Sequence, residues 1–327
     1  MRHSPIDRRR ALVALAGFAA APRAFAQTGA WPSKPITLLV PTAPGGTTDI
    51  AARMLADPLG KALGQTLVVD NRGGASGAIA AVALKRAEPD GHVLLMQYSG
   101  YHVITPHVTK QPQWRADELA PVANVLSAPQ VVVAREGLPV KTMAELVAYA
   151  KQNPGKLTYA SSGAGSLQHV TGAMLEQQAG IGLTHVPYKG TGPALQDLLG
   201  GQVDITFGTP PPYMPHIASG KLRALAVTGR SRLSSLPQVP TAAEAGLPKL
   251  DATSWFGVFA PARTPPALID RLSAEIAKVM ATPAFRDKAA DLGATADYQS
   301  PRDFAAMVRA EDLRWAAVVK AARIEAD

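Results

Sequence analysis

The chain has 327 residues, of which 47% are hydrophobic and 18% charged, with no cysteine and a formal net charge of +8. That length accommodates two domains of ordinary size, and that balance belongs to a folded globular chain rather than a disordered one. The missing thiols exclude a disulfide framework, a thiolate metal site and a cysteine nucleophile.

At the N-terminus, Arg8-Arg9-Arg10 precede an apolar run from Ala11 to Ala21, and Ala24-Phe25-Ala26 has the small-x-small form that a signal peptidase cuts after. The run is too short for a membrane anchor. Residues 1–26 therefore read as a signal peptide cleaved after Ala26, which makes the mature chain periplasmic. The arginine pair also resembles a twin-arginine signal without the consensus aromatic, so Sec and twin-arginine export both stay open. This segment holds five Arg and one Asp, so its removal lowers the formal charge from +8 to +4. The remaining cations are scattered and not interleaved with aromatics, which argues against nucleic-acid binding. No later stretch approaches the roughly 18 continuous apolar residues of a membrane span.

The mature chain opens with a strand, Ile36 to Val40, that ends at Pro41. Pro44-Gly45-Gly46-Thr47-Thr48-Asp49 turns directly into a helix with Ile50, Met54, Leu55, Leu59 and Leu63 on one apolar face, and Gly64 just past its end. Pro58 falls inside that pattern and is expected to kink or divide the helix. A strand at Thr66 to Val69, a helix at Ala78 to Ala87 and a strand at His92 to Met96 follow, the last entering the loop Gln97 to Tyr101. Strand and helix alternate, which predicts a parallel sheet wrapped by helices.

A second unit repeats the rhythm. Strands are expected at Val131 to Ala134, Leu157 to Ala160, Leu183 to Val186, Val203 to Phe207 and Leu222 to Val227, with helices at Met143 to Lys151 and Leu167 to Ala179. Trp255 to Phe259 is one more strand, and long helical patterns at Pro266 to Met280 and Pro301 to Ala322 close the chain. These last helices are needed to cover the first sheet. The expected fold is therefore α/β and two-lobed, like a type II periplasmic binding protein, with two Rossmann-like lobes. Lobe 1 comprises residues 27–125 and 253–327, and lobe 2 residues 126–252. Two crossings between lobes make a hinge, the architecture of a closing ligand trap.

Ligands of open parallel sheets bind beyond the carboxyl ends of strands. The loops at 41–48, 97–102, 161–166, 187–192 and 207–213 are the candidates, rich in Gly, Ser, Thr and Tyr, with Lys189 as their one clear cation. Backbone N–H groups, hydroxyls and helix N-termini hold an anion without a salt bridge, and a carboxylate is the economical ligand. The turn at 44–48 and the turn at Ser161 to Ser166 are expected to face each other across the cleft. Wall candidates are Thr42, Tyr98, Tyr101, Thr209 and Tyr213. Plainer readings exist: Gly45-Gly46 as a tight turn only, Asp49 as a helix cap, Ser161-Ser162-Gly163 as a flexible cap, and His169 as a structural histidine. Tyr188 suits a ligand stack or a hinge contact equally.

Catalytic patterns are weak. Gly163-Ala164-Gly165-Ser166 lacks the flanking glycines of a hydrolase elbow, the 44–48 turn lacks the Gly-Lys-Ser/Thr of a P-loop, and the seven histidines show no metal spacing. Nothing singles out a triad such as Ser161, His169 and Asp204. Neither enzyme activity nor a cofactor or metal is expected.

VPTAPGGTTDIAARML, VVDNRGGASGAIAA, AEPDGHVLL, YASSGAGSLQHV, HVPYKGTGPALQDLLGGQVDITF and LRALAVTG together resemble the Bug-type (TctC) extracytoplasmic solute receptors of tripartite tricarboxylate transporters. The likeness runs from about Trp31 to the C-terminus. It implies a hinged, two-lobed receptor, expected as a monomer, that delivers a carboxylated solute to membrane permease subunits. It also implies carboxylate contacts, partly through waters, from Gly45, Gly46, Thr47, Thr48 and Asp49, and from Ser161, Ser162, Gly163, Gly165, Ser166 and His169. Tyr188, Lys189 and Gly190 would add to these. Two positions depart from the family pattern. Thr42 stands where an aromatic is common, and Gly208-Thr209 where an acidic residue is common, so a ligand amino group would lack an acidic partner. A secreted hydrolase on a similar fold and a transport-independent sensor are the alternatives.

Overall fold

The computed structural model describes residues 31–322, so the expected signal peptide and its cleavage site lie outside the described residues. Two mixed sheets organise the chain. The first has the order β11-β4-β10-β3-β1-β2 and the second β7-β6-β8-β5-β9. Their strands are β1 (Ile36–Val40), β2 (Leu67–Asn71), β3 (Val93–Tyr98), β4 (Leu119–Pro129), β5 (Val131–Arg135), β6 (Thr158–Ser161), β7 (Thr184–Pro187), β8 (Ile205–Gly208), β9 (Leu222–Val227), β10 (Thr253–Pro261) and β11 (Thr295–Gln299).

The expected parallel βαβ cores are present: β2, β1 and β3 are parallel, as are β7, β6 and β8. Each sheet is then extended antiparallel. In the first, β10 pairs with β3 and β4, and β11 pairs with β4. In the second, β5 lies between β8 and β9 and runs antiparallel to both.

The helices are α1 (Thr47–Leu63), α2 (Ala78–Arg86), α3 (Ser99–Val103), α4 (Thr105–Val108), α5 (Met143–Gln152), α6 (Leu167–Ala179), α7 (Thr191–Leu199), α8 (Met214–Ala218), α9 (Pro266–Ala281), α10 (Pro283–Asp291) and α11 (Pro301–Ala322). Pro58 does not divide α1, which runs unbroken to Gly64, a left-handed cap whose N–H donates to Gly60 O. Ile269, Leu272 and Ile276 of α9 and Phe304 and Val308 of α11 are buried in one apolar cluster with Ile36, Leu38 and Leu95. The C-terminal helices thus cover the first sheet. Fully burying a side chain of this kind contributes about 1.5–3 kcal/mol, which is why helices so distant in sequence return to it.

Between the two sheets the chain passes at a single residue, Gln130, and comes back over residues 228–252. The two passages are bonded to each other. The Gln130 N–H donates to Ala252 O at 3.3 Å and to Thr228 Oγ1 at 2.9 Å, and the Thr228 N–H donates to Gln130 O at 2.8 Å. The carboxyl ends of β1 and β3 in the first sheet and of β6 and β8 in the second border one gap, where Thr42, Tyr98, Ser162 and Thr209 meet.

Candidate functional site

A cavity of about 10 Å³ lies in that gap. From the first sheet's side it is lined by Thr42 after β1, Thr47 and Thr48 in the first turn of α1, Tyr98 at the end of β3, and Ser254 and Phe256 of β10. Ser162, Gln168 in the first turn of α6, Thr191 at the start of α7, and Thr209 line it from the second. Gln130 lies between the two groups. No lining residue carries a formal charge. Three helices of nine residues or more present their N-terminal turns here, with partial positive charge and backbone donors that have no partner inside the helix.

Several lining groups are unpaired. Thr42 Oγ1 and both amide atoms of Gln130 are buried without a hydrogen-bond partner. The Ser254 and Ser162 hydroxyls do lie beside the Tyr98 phenol and favour its anion, but burial outweighs them and raises its pKa far above the ordinary tyrosine value. Tyr98 is therefore a neutral phenol, and its oxygen accepts the Leu167 N–H at 3.1 Å. Gln168 organises the opposite wall: Ser162 N–H donates to its Oε1, and its Nε2 donates to Thr191 Oγ1 at 3.3 Å.

The two sides touch through complementary loops. Ala43 N–H donates to Lys189 O at 3.1 Å, and Thr209 Oγ1 donates to Thr47 Oγ1 at 2.6 Å. A Cβ built on Gly192 would lie 2.0 Å from Pro44 O, and one on Gly46 would lie 3.3 Å from Thr191 Cβ. The 44–48 turn therefore meets the 189–192 loop and Thr209. The Ser161 to Ser166 loop meets a different surface: Ser76 Oγ donates to Ala164 O at 2.8 Å, Tyr101 OH donates to Ser162 O, and Thr105 Oγ1 donates to Gly165 O at 3.2 Å. The two turns border one cavity without opposing each other directly. Leu167 and Val170 of α6 are buried in the first sheet's apolar cluster, so this contact is hydrophobic as well as polar.

Of the expected site residues, Thr42, Thr47, Thr48, Tyr98, Ser162 and Thr209 line the cavity. Gly45, Gly46 and Gly190 form the interlocked backbone around it, with Gly45 at φ +87° and Gly190 at φ +129°. Gly163 and Gly165 also have positive φ and shape the loop above α6. Other residues are engaged elsewhere. The Asp49 carboxylate, 4% exposed, is turned back into its own unit, where it accepts from Gly45 N–H, Asn71 Nδ2 and Arg53. Ser166 caps α6 by accepting from His169 N–H at 3.3 Å. Tyr188 OH donates to Asp197 at 2.7 Å, and Lys189 is exposed. Tyr101 lies behind the wall, with burial pushing its phenol up to about 12. Tyr213 is fully buried against Gly208, away from the cavity.

Ser161 is completely buried and its hydroxyl meets His185 Nε2 at 2.6 Å, not His169. The His169 Nδ1 accepts from Gly165 N–H, and its ring stacks flat on His185 with centroids 4.0 Å apart. Burial and the neighbouring His169 push His185 down to about 4. Asp204 is held by Arg135 and Thr158. A Ser161, His169, Asp204 triad is therefore not assembled. Among the described residues there is also no cluster of three or more His, Asp or Glu with the spacing of a metal site, and no helix is long and apolar enough to cross a membrane.

Sequence reasoning missed Gln130, Gln168, Thr191, Ser254 and Phe256. Gln130 carried a readable signal, since it is a polar residue set immediately before the buried strand expected at Val131 to Ala134. Thr191 lay in a loop already singled out. Gln168, Ser254 and Phe256 reach the cavity through side-chain directions that a sequence does not display.

The family model described as "Tripartite tricarboxylate transporter family receptor" matches residues 51–324. Protein BugT of Bordetella pertussis is 36% identical over 295 residues, which cover 89% of this chain and 90% of BugT. Among solved structures, an R. palustris protein with adipate is 36% identical with a TM-score of 0.88, covering 91% of this chain and 100% of its own. MatC from Rhodopseudomonas palustris with bound malate is 34% identical with a TM-score of 0.85, covering 88% and 100%. Periplasmic binding protein BugD is 35% identical with a TM-score of 0.87, covering 91% and 100%.

Proposed function

The chain belongs to the tripartite tricarboxylate transporter receptor family, and from that premise we propose that it is a periplasmic receptor that closes on a small carboxylate. The observation that carries the reading is the neutral cavity between the two sheets, with three helix N-terminal turns and the unpaired Thr42 hydroxyl and Gln130 amide around it. Such a site binds negative charge through backbone dipoles and hydroxyls, so a carboxylate is held without a lysine or arginine. Adipate and malate, bound by two similar proteins, are acids of the size class intended.

A cavity of about 10 Å³ holds about one water, so the acid enters only when the two sides part. In this reading residues 27–125 with 253–327 form one lobe and residues 126–252 the other. They rotate about the paired passages at Gln130 and Ala252, and the loaded, closed form docks on permease subunits of a tripartite transporter. The N-terminal 26 residues direct export and are removed after Ala26, and the mature receptor acts as a monomer with no catalytic step.

Thermal-shift screening of residues 27–327 against mono-, di- and tricarboxylates, acidic amino acids and aromatic acids tests this. An acid at a hundred times its Kd stabilises the fold by about 2.7 kcal/mol. A broad panel without a single shift would refute the receptor reading.

A further inference from the structure

Gln130 is held entirely by its main chain. Its N–H and C=O are both bonded to Thr228, and its N–H also reaches Ala252, so the side chain contributes nothing to keeping the residue in place. The side chain is 0% exposed, lines the cavity, and leaves both Nε2 and Oε1 without a partner. Burying an amide in this state is costly, whereas an apolar residue of similar size would carry no such cost. Turning the amide over changes nothing, since both ends are unpaired.

The neighbouring groups differ in kind. The hydroxyls of Thr42, Ser162 and Ser254 rotate to donate or accept as the ligand requires. A planar amide does not adapt: it presents a donor and an acceptor side by side, fixed relative to each other. A bare carboxylate offers acceptors only, and its lone pairs would face those of Oε1. Satisfying both ends of Gln130 directly, without an intervening water, takes a ligand with an uncharged donor next to an acceptor. An ammonium group is a poor source of that donor, because no acidic residue lines the cavity.

We propose that Gln130 is the specificity-determining residue of this site, and that the ligand is a carboxylic acid bearing a hydroxyl beside a carboxylate oxygen, or a primary carboxamide. The shared chemistry is an adjacent neutral donor and acceptor. The inference rests on the carboxylate reading above and goes further, because it ranks acids of equal length.

Isothermal titration of the mature protein with matched pairs tests it: propanoate against lactate, succinate against malate, and succinate against succinamate. In at least one pair the hydroxylated or amidated acid should bind at least about tenfold more tightly, since a site built around a hydrogen-bonding group discriminates strongly against the analogue that lacks it. Gln130→Leu should collapse that ratio to within about threefold. Gln130→Glu keeps the shape but offers acceptors only when ionised, and should lower the same ratio if the leucine variant does not fold. If plain acids bind as well as their matched partners, if the acids that bind carry neither a hydroxyl nor a carboxamide, or if the ratio survives in a folded variant, the role of Gln130 is overturned while the receptor reading stands. If no acid of any pair or of the wider panel binds the wild-type protein, the carboxylate reading falls and this inference falls with it.

Discussion

Gly192→Ala separates closure from folding. Gly192 is in the first turn of α7, and the backbone there is helical, so alanine suits its own lobe and gains up to about 1 kcal/mol of helix propensity. What its Cβ would meet belongs to the other side of the cleft: Pro44 O at 2.0 Å and Pro44 C at 3.2 Å. An ordinary Cβ contact exceeds 3 Å, so the 44–48 turn and the 189–192 loop must move about 1 Å apart. The bonds Ala43 N–H to Lys189 O and Thr209 to Thr47 span this contact and would lengthen beyond bonding distance. At about 0.5–1.5 kcal/mol net each, their loss costs about 1–3 kcal/mol, or about 5- to 150-fold in Kd. Titration calorimetry with whichever acid stabilises the wild-type protein reads the affinity, and urea unfolding without ligand reads the fold. The expected pattern is weakened binding with little or no loss of fold stability. A variant that binds as tightly as wild type would show that this loop contact is not formed in the ligand-bound state.

Two further outcomes follow from the same geometry. Burial and His169 lower His185 to about 4, and burial alone lowers His102 to about 3, against an ordinary 6.5, so the unfolded chain takes up protons first as the pH falls. Their contribution is complete above about pH 6.5 and declines as the pH drops towards 4; melting should be clearly lower at pH 5 than at pH 7.5, and equal melting temperatures would contradict the buried neutral imidazoles. Asp49→Ala strips the acceptor from Gly45 N–H and Asn71 Nδ2 and should destabilise the chain by about 1–3 kcal/mol in urea unfolding. Arg53 adds little because it is more than half exposed, and an unchanged midpoint would show that the 44–48 turn holds itself without this carboxylate.

Much of the fold is legible because the βαβ units are local. Ile36–Val40 and Thr158–Ser161 run into glycine turns and capped helices within a few residues, and apolar spacing alone places them. β4 was not legible. Leu119–Pro129 contains two prolines and an asparagine, shows no alternation, and pairs with β10 through two register shifts, so only its partner makes it a strand. β11, Thr295–Gln299, is a half-exposed edge strand of mostly polar residues with no buried face to announce it. Asp49 shows the limit for single residues: its position in the first helical turn allowed both a cap and a ligand contact, and Asn71 and Arg53 draw it inward.

By itself, the sequence determined that turns rich in glycine and hydroxyls end the strands of two α/β units, because backbone conformation and helix starts depend on neighbours in the chain. It also determined that an anion site here would have no dedicated cation beyond Lys189, and the fold turns Lys189 outward. Only the tertiary structure decided which turns meet. The 44–48 turn locks onto the 189–192 loop because Gly192 leaves room for Pro44 O, and the Ser161 to Ser166 loop docks on Ser76, Tyr101 and Thr105 instead. It also set Gln130 at the passage between sheets with its amide facing the cavity, since side-chain direction across a cleft depends on both walls at once.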